Sequence, residues 1–234
     1  LFYRKLRKTN RALDKTVEYG DAHPDPWPLL KLQAATRPVP LSFFSCPAEE
    51  LARKLLGCVL IHEQTAGMIV EAEAYLGIND LAAHASRGLT DRTRALFGPA
   101  GHAYVYFIYG MHECLNVVGE KENSAGSALL RALEPLTGLN EMAVRRHWHG
   151  PVKGLTNGPG KLTQAMGISR SHYGQRLDKG SLTIRQWRVA PEFEIEATPR
   201  VGVSQCADWP LRFCWKGHPC VSRFLVSQRT KKAH

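Results

Sequence analysis

Residues 70–84 run Val70-Glu71-Ala72-Glu73-Ala74-Tyr75-Leu76-Gly77-Ile78-Asn79-Asp80-Leu81-Ala82-Ala83-His84. The first half alternates as a β-strand does, and a period of two puts Glu71, Glu73 and Tyr75 on one face. Gly77 ends the strand, and a His-Ala-Ser-Arg-Gly loop follows. A carboxylate, a flat ring and a histidine beside a loop suit a pocket for a planar ligand.

A second segment, Tyr104-Val-Tyr106-Phe-Ile-Tyr109-Gly110-Met111-His112-Glu-Cys-Leu-Asn116, reads as a hairpin turning at Gly110-Met111. Glycine first in a two-residue loop suits a type II′ turn. Tyr104 and Tyr106 share a face, whereas Tyr109 lies at odd spacing and stands at the tip. An exposed aromatic there is costly unless it wedges into a partner. Further strands are predicted at 58–62, 67–75, 103–109, 113–118, 126–132, 182–184 and 221–226. Proline, acids and a closing glycine mark a helix over 47–57, and others are predicted over 138–148 and about 160–167. Hairpins mixed with helices predict a largely antiparallel α+β domain.

A chain of 234 residues, 44% hydrophobic, can bury one substantial core. The division predicted is a basic, Pro-rich arm and linker over 1–42, extended because residues 20–42 hold five prolines, a folded domain over 43–226, and a basic tail over 227–234. No 18-residue apolar run is present, so no transmembrane helix and no membrane partner are expected. The N-terminal octet lacks the apolar segment of a secretory signal; a cytoplasmic location in a bacterium, or a nuclear one in a eukaryote, is expected. The net charge is +10, of which residues 1–40 carry +4 and residues 227–234 carry +3. Most of the excess thus sits at the ends, where it raises non-specific affinity for phosphates without shaping a site. Six cysteines, none in a C-x-x-C pair, read as free, buried thiols in a reducing compartment. The H-x-E and P-C-x-x-C signature of zinc deaminases is absent, and no metal or cofactor is expected.

The chain resembles the alkyladenine (3-methyladenine) DNA glycosylase family. The matching blocks are Val-Glu-Ala-Glu-Ala-Tyr-Leu-Gly (70–77), Ala-Ala-His (82–84), Gly-His-Ala-Tyr-Val-Tyr-Phe-Ile-Tyr-Gly-Met-His (101–112), Leu-Leu-Arg-Ala-Leu-Glu-Pro-Leu (129–136), Asn-Gly-Pro-Gly-Lys-Leu (157–162) and Arg-Val-Gly-Val (200–203). They occur in the family's order and span roughly residues 43 to 226. The resemblance implies a single domain with a curved sheet, a protruding hairpin and surrounding helices. It also implies a monomer that acts on damaged purines in double-stranded DNA, flipping the base out and hydrolysing its N-glycosidic bond without cutting the strand.

That reaction passes through a sugar with oxocarbenium character, so it needs negative charge near C1′ and a poised water. Glu73 registers on the family's carboxylate, with Glu71 its neighbour on the same face. Arg131 interrupts an apolar strand and needs a carboxylate partner; the resemblance puts it near the attacking water, with a backbone carbonyl around Val201. Tyr75, Tyr106 and His84 match residues that sandwich and contact the flipped base, and Asn116 matches the position that crowds the guanine 2-amino group. Tyr109 matches the residue that enters the minor groove and offsets unstacking, with Met111 and His112 beside it. Lys161 follows a Gly-rich turn that opens a helix, a setting suited to a DNA phosphate. Thr93 and Thr156 stand where relatives usually carry Asn and Cys, departures that bear on loop contacts to DNA rather than on the chemistry. The competing expectation is a non-catalytic reader of damaged bases, which would have no need of Glu73.

Overall fold

The computed structural model describes residues 25–222 apart from 109 and 111. The expected groove-wedge residue Tyr109, its neighbour Met111, and residues 223–226 of the last expected strand therefore lie outside the described residues.

Nine strands and four α-helices of the described residues form one α+β unit. In chain order they are α1 (Leu29–Ala35), β1 (Thr36–Pro38), α2 (Ala48–Leu55), β2 (Val59–His62), β3 (Thr65–Tyr75), β4 (Ala103–Ile108), β5 (His112–Val118), β6 (Ser127–Thr137), α3 (Leu139–Arg146), α4 (Pro159–Met166), β7 (Leu182–Trp187), β8 (Ile195–Thr198) and β9 (Arg212–Trp215). The main sheet runs β1-β7-β2-β3-β6-β5-β4, and every pairing is antiparallel.

The strand containing Glu71 and Glu73 is the trunk of this sheet. β3 pairs with β6 along its length, with β2 over residues 65–68, and with β9 over Glu71–Glu73. β2 thus leaves one edge of β3 and β9 takes over that edge, so the strand's centre is flanked on both sides. All of β3 except Tyr75 is buried. Helix α2 covers the sheet with Ala48, Leu51, Ala52 and Leu55, the i, i+3, i+4, i+7 stripe of an amphipathic helix.

The β3–β6 ladder is not regular. Glu71 pairs with Ala132 and Ala72 with Leu130, so Arg131 is the extra residue of a bulge; a second shift on the β3 side skips Val70. Bulges bend a strand and re-aim its side chains. Here they fall at the carboxylates and at the arginine that serves them.

The predicted extended linker is corrected over its described part. Residues 29–35 are helical and 36–38 pair with β7. Leu32 is fully buried, Trp27 packs edge-on against Trp187 at 5.2 Å, and the Trp27 amide donates to the Leu136 carbonyl. Prolines 26 and 28 precede α1 and prolines 38 and 40 follow it, so they bound the helix rather than prevent it. The hairpin is also corrected. Ile108 pairs with His112, which leaves three connecting residues rather than two, and Gly110 supplies the positive φ of +68°. No helix of the described residues is long and apolar enough to cross a membrane.

Candidate active site

A cleft of about 870 Å³ opens between the β4–β5 hairpin, the 81–87 loop, the start of α4 and the 201–205 loop. Its lining brings together Tyr75, His84, Tyr106, His112, Asn116, Arg131 and Lys161, seven of the ten residues singled out from the sequence. Glu73 lies one layer below, fully buried beneath lining residues Tyr75, Arg131 and Val201.

Two carboxylates on one face of β3 have received different partners. Glu71 Oε1 accepts from Arg131 Nε at 2.8 Å, Arg212 Nε at 2.7 Å and Ser222 Oγ at 2.7 Å, while Oε2 accepts from the Ser222 amide at 2.7 Å. Burial pushes its pKa up, but the two guanidiniums and the hydrogen bonds outweigh burial and hold it below the ordinary glutamate value. Glu71 is thus favoured as the anion, with its oxygens occupied. Glu73 Oε1 accepts from the Val201 amide at 2.7 Å and lies 3.2 Å from Arg131 Nη1; Oε2 accepts from the Tyr75 hydroxyl at 3.0 Å. For Glu73 burial dominates over Arg131, Val201 and Tyr75, and the pKa is raised. The less saturated of the two is therefore also the better base. The two neighbouring carboxylates thus differ in their partners and in the direction of their pKa shifts.

The ring faces are fixed from behind. The Arg200 guanidinium lies 4.7 Å from the Tyr75 ring centroid and is fully buried with Asp80, with Arg200 Nη2 donating to Asp80 Oδ1 at 2.9 Å. Tyr106 stacks on buried Tyr104, centroids 5.3 Å apart and planes 29° apart, and meets His84 edge-on at 4.5 Å. His84 Nδ1 lies 2.9 Å from the Tyr104 hydroxyl. Burial, followed by Arg92 and Arg87, pushes His84 down to about 4, so its ring is neutral at physiological pH. Asn116 is buried and lines the cleft with Nδ2 lacking a hydrogen-bond partner. The Cys114 thiol, also in the lining, is pushed up to about 11 by burial and stays protonated.

At the other end of the cleft, Lys161 donates to Asn157 Oδ1 at 3.0 Å, and its pKa is lowered by burial and by Arg146. A Cβ on Gly160 would lie 2.9 Å from His112 Cγ. The missing side chain is what lets the returning hairpin strand pack on the start of α4. The departures Thr93 and Thr156 turn inward. Thr93 Oγ1 accepts from the Thr90 amide at 2.8 Å, and Thr156 Oγ1 donates to the Leu133 carbonyl at 2.7 Å. Among the described residues no group of three or more His, Cys, Asp or Glu side chains is placed to hold a metal ion.

Asp80, Tyr104, Arg200, Arg212 and Ser222 were not singled out from the sequence. Arg212, like Arg131, is a charge among apolar neighbours, but no strand is predicted around it. Arg200 opens a motif in which only Val201 had been considered, and Asp80 lies inside residues 70–84. Ser222 carried no signal.

A family model described as Methylpurine-DNA glycosylase (MPG) matches residues 42–219. A protein of Methanoculleus marisnigri is 49% identical over 191 residues, which is 79% of this chain and 98% of its own. Proteins of Chlorobaculum parvum and Myxococcus xanthus are each 43% identical, over 81% and 83% of this chain and 93% and 98% of their own. All three bear the name "Putative 3-methyladenine DNA glycosylase".

Proposed function

Because the chain belongs to the methylpurine-DNA glycosylase family, an enzyme family that hydrolyses N-glycosidic bonds in DNA, we propose that it removes alkylated and deaminated purines from duplex DNA with a water activated by Glu73. The substrates are 3-methyladenine, 7-methylguanine, hypoxanthine and ethenoadenine, and the product is an abasic site in an uncut strand. The observation that carries this reading is Glu73 itself, a fully buried carboxylate of raised pKa held by Arg131, Val201 and Tyr75, all three of which line the cleft.

The extruded purine stacks on Tyr75 and Tyr106 and meets His84 at its edge. Electron-poor rings stack well on tyrosine faces, and a neutral His84 adds no repulsion toward a cationic base. The unpartnered Asn116 amide crowds the 2-amino group of an ordinary guanine, which lowers its residence in the cleft. Water enters among Tyr75, Arg131 and Val201. As the bond from C1′ to the purine nitrogen breaks, the leaving base takes the bonding electrons, the water oxygen bonds to C1′ and Glu73 takes the water's proton. The negative charge of Glu73 offsets the positive charge growing on the sugar. Tyr109 fills the gap in the duplex, Met111 and His112 touch the same groove, and Lys161 meets a backbone phosphate with the amides that open α4.

The test is single-turnover release of hypoxanthine from a duplex. Glu73→Gln is expected to abolish release and leave duplex binding nearly intact, because glutamine keeps the shape without the base. Wild-type turnover in that variant overturns the assignment. Breakage of the product strand should require alkali; borohydride trapping of enzyme on DNA through Lys161, the lysine of the cleft lining, would overturn the monofunctional reading.

A further inference from the structure

Among the described residues Arg131 alone bridges the two carboxylates of β3, and it is held at both ends. Its Nη1 faces Glu73 at 3.2 Å and its Nε donates to Glu71 at 2.8 Å. Glu71 is in turn clamped from the far side by Arg212 and by both the amide and the hydroxyl of Ser222, each at 2.7 Å. Arg212 closes the ring by donating from Nη2 to the Ser222 carbonyl at 3.1 Å and from Nη1 to Thr198 Oγ1 at 3.1 Å. The segment leading to Ser222 is itself pinned: His218 Nε2 lies 3.1 Å from Glu134 Oε2, and the Cys220 amide donates to His218 Nδ1 at 3.2 Å. Ser222 lies beyond residue 219, where the family match ends.

We propose that Ser222 and Glu71 are positioning residues for catalysis, through which the segment following β9 sets the placement of Arg131 and hence the charge and basicity of Glu73. This rests on the reading of Glu73 as the water-activating base. The physical ground is that Arg131 is the extra residue of a bulge, which re-aims its side chain between the two carboxylates. A flexible side chain serving two anions takes the position set by their competition for it. A Glu71 satisfied by Ser222 and Arg212 leaves Nη1 for Glu73. A Glu71 deprived of a donor draws the guanidinium toward itself. Arg131 and Glu71 are joined around Glu73 by Tyr75, Arg200 and Cys114 as the other charged and titratable neighbours, and none of these touches Ser222.

The experiment is the pH profile of single-turnover base release in the full chain, with duplex affinity measured in parallel. In the wild type the rate rises as Glu73 loses its proton, so the acid limb lies above the ordinary glutamate range. Ser222→Ala is expected to lower the maximal rate about tenfold, the scale of a sub-ångström misplacement in a reacting site. It should also move the acid limb to higher pH, because Arg131 leaves Glu73, and duplex affinity should not change. Ser222→Thr, which keeps the hydroxyl, restores both rate and limb. Glu71→Gln moves the limb the other way, to lower pH, since it removes a competing and repelling anion; if that variant does not fold, the Ser222 pair decides alone. Ser222→Ala with wild-type rate and limb overturns the proposal, and so does a loss of rate that Ser222→Thr does not restore or that leaves the limb unmoved. Failure of the underlying reading looks different, as turnover that survives Glu73→Gln.

Discussion

Asp80 and Arg200 illustrate how one pair of side chains can set a surface it does not form. Both are fully buried, and Arg200 also donates to the Ala74 carbonyl at 3.0 Å while its guanidinium backs the Tyr75 ring. Burial works against the Asp80 charge, but hydrogen bonds from Arg200, Leu76 and Ala82 overcome it and hold the pKa below the ordinary aspartate value. Removing one partner of a buried pair strands the other, at about 3–5 kcal/mol. Asp80→Asn is therefore expected to lower stability by that amount in urea titration. It should also weaken discrimination of damaged from normal bases by the fraction that still folds, because Tyr75 loses its backing. An Asp80→Asn enzyme of native stability would contradict this account.

At the scale of elements, the contact between the β4–β5 hairpin and α4 depends on Gly160. Gly160→Ala should raise helix stability by about 0.5–1 kcal/mol in isolation. In the folded chain the new Cβ meets His112 at 2.9 Å and must displace it. The expected result is a melting temperature close to wild type with several-fold weaker duplex binding, measured by anisotropy; unchanged affinity would show that the hairpin does not need this seat. The strands that alternate cleanly, β3 and the β4–β5 pair, were legible in the sequence, and so were α2, α3 and α4, whose ends carry proline, glycine or periodic apolar positions. β8 and β9 were not, since each is only four residues long and a four-residue run between loops has no measurable period. Helix α1 was hidden among prolines that bound it. In the site, Glu73, Tyr75, Tyr106, His84 and Arg131 could be named from motifs, but the sharing of Arg131 between two carboxylates could not. That sharing comes from bulges at Val70 and Arg131, and a strict period of two cannot anticipate a skipped residue.

For the whole molecule, packed structure is already present well ahead of residue 42, where the family match starts. The Leu139 amide donates to Asp25 Oδ1 at 3.1 Å, and Trp27 and Leu32 pack into the main core. Deleting residues 1–24, which carry six Lys/Arg and three Asp/Glu, should flatten the salt dependence of non-specific DNA binding. Deleting residues 1–42 should cost at least the ~2–5 kcal/mol of removing one large core side chain, read by denaturant midpoint. Equal stability of the two truncations would refute the packing role of α1. The fork in β3 has a consequence for how the enzyme fails. Amides of a strand paired on both sides exchange with solvent only through the largest openings of a fold, and residues 71–73 are such a strand. Fraying at the sheet's outer strands can proceed while the carboxylates keep their partners. Loss of the carboxylate arrangement under heat or denaturant should therefore coincide with global unfolding, whereas fraying of the edge strand β4, which carries Tyr106, should weaken base capture earlier.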